Sequence, residues 1–294
     1  MSSNKVQTRS PCDDYVGRFA PSPSGPLHFG SIVAAIGSYL DARAHQGRWL
    51  LRFDDLDGPR NVPGSIDLIL SELERLGLDW DEAPVYQSHH PQRYQDALEH
   101  LVNQGLAYPC ACSRKVLGVG IYPGTCRNGL APGSTAHSLR LRVADTRIEF
   151  EDRIQGRYGL HLAQDPGDFV IHRGDGIIAY HLATIVDDGE AKITHIVRGA
   201  DLLASTPCQI YLQNCLGLPT PRYAHLPIAR HPSGQKLSKQ THAPASNSVA
   251  ASQLWRQSLA HLGQPTPDHD HLSVSDLREY GLRHWNLGQI PIQC

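Results

Sequence analysis

The segment Gly17-Arg-Phe-Ala-Pro-Ser-Pro-Ser-Gly-Pro-Leu-His-Phe-Gly-Ser31 constrains the fold of this chain more than any other stretch. Val16 to Ala20 has strand character, and Pro21 to Gly25 is a loop rich in turn formers. From His28 to about His45, Ile32, Ala35, Ile36, Tyr39 and Leu40 recur on one face of a helix. A strand that turns directly into a helix leaves free backbone N–H groups and the positive end of the helix dipole beside the sheet. That arrangement suits a phosphate. The rhythm then repeats. Arg48 to Phe53 reads as a second strand, and Ile66 to Leu76 and Pro91 to Gln104 as amphipathic helices. Alternating strands and helices predict an α/β fold, a parallel sheet with crossover helices.

Residues 106–134 break the rhythm, being rich in Gly, Pro and Cys, and read as a small inserted subdomain. Around it the chain divides into 15–105, the first half of the main domain; 135–245, the rest of the insertion and the second half; and 246–294, a short helical C-terminal segment. Within these, Ser138 to Val143 and Arg147 to Phe150 read as short strands. Asp168 to His172 and Gly176 to Tyr180 resume the apolar pattern, followed by His181 to Val186 and Ile193 to Val197. Ala200 to Leu216 reads as one helix. Beyond Ala243 the chain is polar and weakly helical, with helices near 248–262 and 275–284.

With 294 residues the chain suits one large domain with an insertion, or two modest ones. Its net charge of −2 argues against extended non-specific binding to a duplex and leaves room for a local basic track. There is no apolar run of the ~18 residues a membrane helix needs. Residues 1–14 lack the apolar centre of a secretory signal, so a cytoplasmic protein with a loose N-terminal tail and no membrane partner is expected. Three of the seven cysteines, Cys110, Cys112 and Cys126, cluster in the insertion, which reads as a metal site rather than disulfides. Three thiolates and a fourth ligand make a tetrahedral zinc site, and spacing alone leaves the fourth ligand open. Cys12, Cys208, Cys215 and Cys294 are scattered and read as incidental thiols.

A second polar loop, Gly234-Gln-Lys-Leu-Ser-Lys-Gln240, sets Lys236 and Lys239 around a serine and suits a polyphosphate clamp. Each loop alone is a weak signal. Together and in this order they resemble the HIGH and KMSKS signatures of class I aminoacyl-tRNA synthetases, and the Gly17–Ser31 string is similar to the glutamyl/glutaminyl branch. The resemblance runs from about Tyr15 to Ala245. It implies a Rossmann-like catalytic domain with a zinc-containing insertion.

It also implies site residues. His28 and Gly30 stand at HIGH positions with Ser31 replacing the final His, and Lys236 and Lys239 stand at the KMSKS lysines. ATP is then held by His28, Gly30, Ser31, Lys236 and Lys239, with Mg²⁺, and His28 and Lys239 are catalytic. Glutamate is held by Arg18, Phe19, Ala20, Pro21, Ser22, Asp54, Tyr180 and Arg198. The two arginines suit its carboxylates, and a buried Tyr180 hydroxyl adds a hydrogen bond. Asp54 replaces the family's glutamate at the ammonium position, one methylene short, so a bridging water is expected there. Zinc is held by Cys110, Cys112, Tyr122 and Cys126 in a structural role. The expected activity is tRNA-independent activation of glutamate, with transfer of the glutamyl group to queuosine in the anticodon of tRNA(Asp) by a monomer. The stretch after Lys239 is expected to be too short for an anticodon-reading domain. Two rivals remain open: a glutamyl transferase of the same fold with another acceptor, and a catalytically idle zinc-containing RNA-binding module.

Overall fold

The computed structural model describes residues 15–113, 117, 120–229, 248–269 and 271–292. The loop carrying Lys236 and Lys239 therefore lies outside the described residues. The expected opening motif forms: β1 (Val16–Phe19), fully buried, leads through the Pro-rich loop into α1 (Phe29–Ala44). Helix α1 returns to β2 (Arg48–Phe53), which pairs in parallel with β1 in the register Val16 to Arg48. Helix α2 (Ser65–Arg75) then crosses to β3 (Val85–Tyr86), parallel to β2. Later in the chain β9 (His195–Gly199) and β10 (Arg222–Leu226) form a second parallel pair, joined by α5 (Thr206–Leu216). The Thr194 N–H donates to the Val16 carbonyl at 3.0 Å, which brings the two ladders edge to edge at β1.

Between these halves lie α3 (Pro91–Asn103) and an antiparallel sheet of β4 (Ala107–Cys110), β5 (Ser138–Leu141) and β8 (Val170–His172). The hairpin of β6 (Arg147–Asp152) and β7 (Gly156–His161) follows β5, and α4 (Tyr180–Glu190) follows β8. The expected helix over 200–216 is two elements. Residues Ala200–Ser205 form a 3₁₀ turn, and Pro207, which lacks an N–H, sits in the first turn of α5, where none is needed.

The C-terminal segment forms helices where they are expected, near 248–262 and 275–284, but its polar composition hides a core role. Helices α6 (Ala251–His261) and α7 (Val274–His284) contribute Leu254, Trp255, Leu259 and Leu277 to the core that also holds Ile32, Ile36, Leu40 and Trp49. The Trp255 indole is fully buried and donates to the Leu76 carbonyl at 2.9 Å. Its polar average hides a narrow apolar stripe that covers α1 and α2. Among the described residues no helix is long and apolar enough to cross a membrane.

Candidate active site

The loop after β1 is pinned at both ends of its turn. The Asp54 N–H donates to the Pro21 carbonyl at 3.0 Å, and the Val62 N–H to the Pro23 carbonyl at 2.9 Å. Gly25 takes φ +115°, a conformation that favours glycine. His28 caps α1: its Nδ1 accepts from the Ser31 N–H at 3.3 Å, and the Ser31 hydroxyl lies 3.2 Å from Nε2. A Cβ on Gly30 would stand 3.2 Å from the His28 ring, so glycine here lets that ring lie over the helix start. His28, Gly30 and Ser31 are thus one cluster at a helix N-terminus, where backbone dipole and orphan N–H groups favour a phosphate.

The residues expected to hold glutamate are placed less uniformly. Ala20, Pro21 and Ser22 line the loop, with Ser22 exposed, whereas the Phe19 ring is buried and stacks on Trp49 at 6.2 Å. Tyr180 corrects the expectation of a buried hydroxyl. It is 42% exposed, because it opens α4 as its first residue rather than lying on that helix's buried face. Arg18 and Arg198 are both buried and belong to different polar networks.

Arg18 directs Nε and Nη2 to the two oxygens of Asp188, at 3.2 and 3.3 Å. Arg52 shares Asp188 at 2.6 Å and holds Asp54 at 2.7 Å. The neighbouring Asp187 takes Gln87 at 2.7 Å, the Tyr94 hydroxyl at 2.8 Å and Arg93 at 3.0 Å. Burial would raise the Asp188 carboxyl, but the Arg18 and Arg52 guanidiniums outweigh it and hold it below the usual range. For Asp54, burial prevails over Arg52 and the carboxyl moves up. Asp54 is therefore already gripped by Arg52. None of Arg52, Asp187 or Asp188 stands out as a ligand in the sequence. The available signal is two consecutive acids closing the apolar run Leu182–Val186, which must find cations if that helix is buried.

Arg198 sits on β9. Its Nε donates to His225 Nε2 at 3.1 Å, and its Nη2 to Thr206 Oγ1 at 2.8 Å and Gln209 Oε1 at 2.7 Å. Its Nη1 is buried and has no hydrogen-bond partner among the described residues, and the same holds for Gln209 Nε2, His181 Nδ1 and Thr184 Oγ1. A buried guanidinium edge without an acceptor is costly unless a ligand supplies one. Burial, and then the Arg198 charge, push His181 down to about 4, so it is neutral near pH 7.

In the insertion, the Sγ atoms of Cys110, Cys112 and Cys126 all lie within 4.8 Å of one another. Cys112 and Cys126 are 3.7 Å apart, close to the ~3.8 Å edge of a tetrahedron with ~2.3 Å zinc–sulfur bonds. Tyr122 Oη stands 3.4 Å from Cys110 Sγ and 3.8 Å from Cys112 Sγ and accepts from the Cys126 N–H at 2.8 Å, so it is an oxygen at the open corner. Arg140 donates to Cys110 Sγ at 3.3 Å and lies 3.8 Å over the Tyr122 ring. Burial opposes ionisation of Cys110, but bonds from Tyr122, the Cys112 amide and Arg140 bring its thiol down to about 7. This donor set suits a tetrahedral cation such as zinc. Below it, Asp168 ties the insertion to the sheet by accepting from Tyr108 at 2.5 Å, the Val143 N–H at 2.7 Å and Arg127.

Comparison with known proteins adds a sequence and a structural likeness. The family described as "tRNA synthetases class I (E and Q), catalytic domain" matches residues 15–118 and 125–260. A protein of Aromatoleum aromaticum named glutamyl-Q tRNA(Asp) synthetase is 52% identical over 95% of this chain and 91% of its own length. A protein of the same name from Dechloromonas aromatica is 51% identical over 95% of this chain and 96% of its own. The crystal structure of a glutamate tRNA ligase from Elizabethkingia meningosepticum, in complex with its amino acid, superposes with a TM-score of 0.80 at 25% identity. That match covers 94% of this chain and 66% of the solved one.

Proposed function

Because the chain belongs to the class I tRNA synthetase family for E and Q, carrying its catalytic domain, we propose that it activates glutamate with ATP and transfers the glutamyl group to the Q base of tRNA(Asp). The observation that carries this reading is about 50% identity to proteins named for that activity across nearly the whole length of both chains. The family match over residues 15–118 and 125–260 takes in the cap at His28, the buried arginines and the cysteine cluster together, so an idle RNA-binding module is the weaker reading.

The chemistry follows in two steps. A glutamate α-carboxylate oxygen bonds to the α-phosphorus of ATP, the bond to the β-phosphate breaks, and pyrophosphate leaves with the electron pair. A hydroxyl of the queuosine base then attacks the glutamyl carbonyl, loses its proton, and AMP departs. The chain's contribution is positioning and charge. The α1 N-terminus, with the ring of His28, is the phosphate contact among the described residues, and Lys236 and Lys239, outside them, are the second pair of phosphate contacts in this reading. Bound Mg²⁺ supplies neutralisation of phosphate charge. Arg198 offers Nη1 to a substrate carboxylate, Arg18 on β1, already paired with Asp188, is the candidate for the other, and Asp54, held by Arg52, reaches the ammonium through a bridging water. Zinc held by Cys110, Cys112, Tyr122 and Cys126 orders the insertion, which has too little apolar surface to fold on its own core. The test is labelled glutamate offered to tRNA with and without queuosine, beside ATP–pyrophosphate exchange in the absence of tRNA. Exchange without tRNA, and transfer only to queuosine-containing tRNA, is the expected pair. Transfer to the tRNA 3′ end, mapped by nuclease fragments, would replace this reading with ordinary charging.

A further inference from the structure

Behind Arg198 lies a buried pair that the chemistry above does not use. His225 on β10 is fully buried, and its Nδ1 lies 2.5 Å from Asp152 Oδ2 at the end of β6. Its Nε2 lies 3.1 Å from Arg198 Nε. Arginine is a donor only. Nε2 must therefore carry a lone pair, which places the single ring proton of His225 on Nδ1, directed at Asp152. The Thr206 hydroxyl, also 3.1 Å from Nε2, donates to the Leu202 carbonyl at 3.0 Å, so it does not compete for that lone pair. Asp152 is fixed in turn: its Oδ1 accepts the N–H groups of Ile154, Gln155 and His225 at 3.0, 2.8 and 3.1 Å.

The other groups around the ring favour the same state. Tyr223 stacks on it at 6.0 Å and Phe150 meets it edge-on at 6.3 Å. Burial and the Arg198 charge depress its proton affinity, while Asp152 and the more distant Asp201 act against that, and the net shift is downward. His225 is thus neutral near pH 7, with one tautomer. Three acceptors, His225, Thr206 and Gln209, hold Nε and Nη2 of Arg198 and leave Nη1 as the free edge.

We propose that Asp152 and His225 are positioning residues for amino-acid selection: Asp152 fixes the His225 tautomer, and that tautomer turns the Arg198 guanidinium so that Nη1 faces the substrate carboxylate. The inference rests on the reading that Arg198 binds glutamate.

The decisive variant is Asp152→Asn. Its Oδ1 can keep the three backbone bonds, while its NH₂ donates to His225 Nδ1 and drives the ring proton onto Nε2, against Arg198. The glutamate KM in tRNA-free exchange is expected to rise roughly 10- to 100-fold, the loss of a hydrogen bond to a charged group. The KM for ATP is expected to stay unchanged. Nitrogen-15 NMR of histidine-labelled wild-type protein is expected to show His225 as the Nδ1–H tautomer at pH 7, a readout independent of whether the variant folds. A folded Asp152→Asn protein with normal glutamate KM, or an Nε2–H signal in the wild type, overturns the inference while leaving the arginine pocket intact. Arg198→Lys separates the two: an unchanged glutamate KM there removes the pocket reading itself, and the positioning role with it.

Discussion

Arg18 and Arg198 look alike in sequence, each embedded in an apolar strand, yet the structure gives them different neighbours. Arg18 is neutralised by Asp188, whereas Arg198 has neutral partners and an edge without one among the described residues. In the proposed pocket, selectivity is therefore expected to rest chiefly on Arg198. Glutamine in place of glutamate would leave that buried charge without its counter-ion, which costs roughly 3–5 kcal/mol. Pyrophosphate exchange should accordingly favour glutamate over glutamine by at least about a hundredfold, and comparable rates would remove Arg198 from the pocket. Asp188→Asn should act on the fold instead. It takes from Arg18 its carboxylate and from Arg52 one of three, so stability in urea should fall by about 3–5 kcal/mol. A loss under about 1 kcal/mol would mean that water reaches this network. Arg18, Asp54 and Arg198 are singled out in the sequence because each sits in a short motif that the family resemblance names. Asp188 is not, because its partners lie 136 and 170 residues away and nothing local names them.

Among elements, α1 shows how closely the helix layer must sit on the sheet. A Cβ on Gly37 would stand 2.8 Å from Leu226 Cδ1 and 3.5 Å from Leu262 Cδ1, both in fully packed surroundings. Gly37→Ala gains helix propensity but overpacks this contact, so a net destabilisation of about 1–3 kcal/mol is expected. A more stable variant in thermal melts would show that Leu226 can move aside. The insertion behaves differently, since its cluster is polar and its apolar surround is small. About one zinc per chain is expected by metal analysis. Cys126→Ser should reduce that content and raise proteolytic cleavage within 106–134, while a zinc-free native protein would sink the assignment. The cysteine spacing made this element legible. The split of 200–216 into a 3₁₀ turn and α5 rests on Pro207, whose effect on the preceding turn could have been read.

At the scale of the whole molecule, burial of neutral histidines couples stability to pH. His181 and His195 are each pushed down to about 4, His181 by burial and Arg198, His195 by burial and Arg153. The native state keeps them neutral, while the unfolded chain protonates them as pH falls below about 6.5. The unfolded state therefore binds more protons, and stability should decline between about pH 6.5 and 4. Below that, Asp41, Asp152, Asp168 and Asp188 extend the loss, because each carboxyl is held below its usual range despite burial. Urea unfolding from pH 8 to 3 should show both legs, and His181→Gln should shrink the upper one. A flat profile between pH 6.5 and 4 would mean that both rings charge in the folded state.

The sequence by itself determined the local order of strands and helices, the turn into the start of α1 and the gathering of three cysteines, because propensity, periodicity and short spacing act over a few residues. It misjudged the burial of Tyr180 and left the core role of α6 and α7 undecided, since average polarity does not say which face of a helix is covered. Only the tertiary structure decided which acid meets which base. Asp188 joins Arg18 to Arg52, and Asp152 reaches Arg198 through His225, because a buried charge takes whichever partner packing brings within hydrogen-bond reach, and packing is set by the whole chain at once.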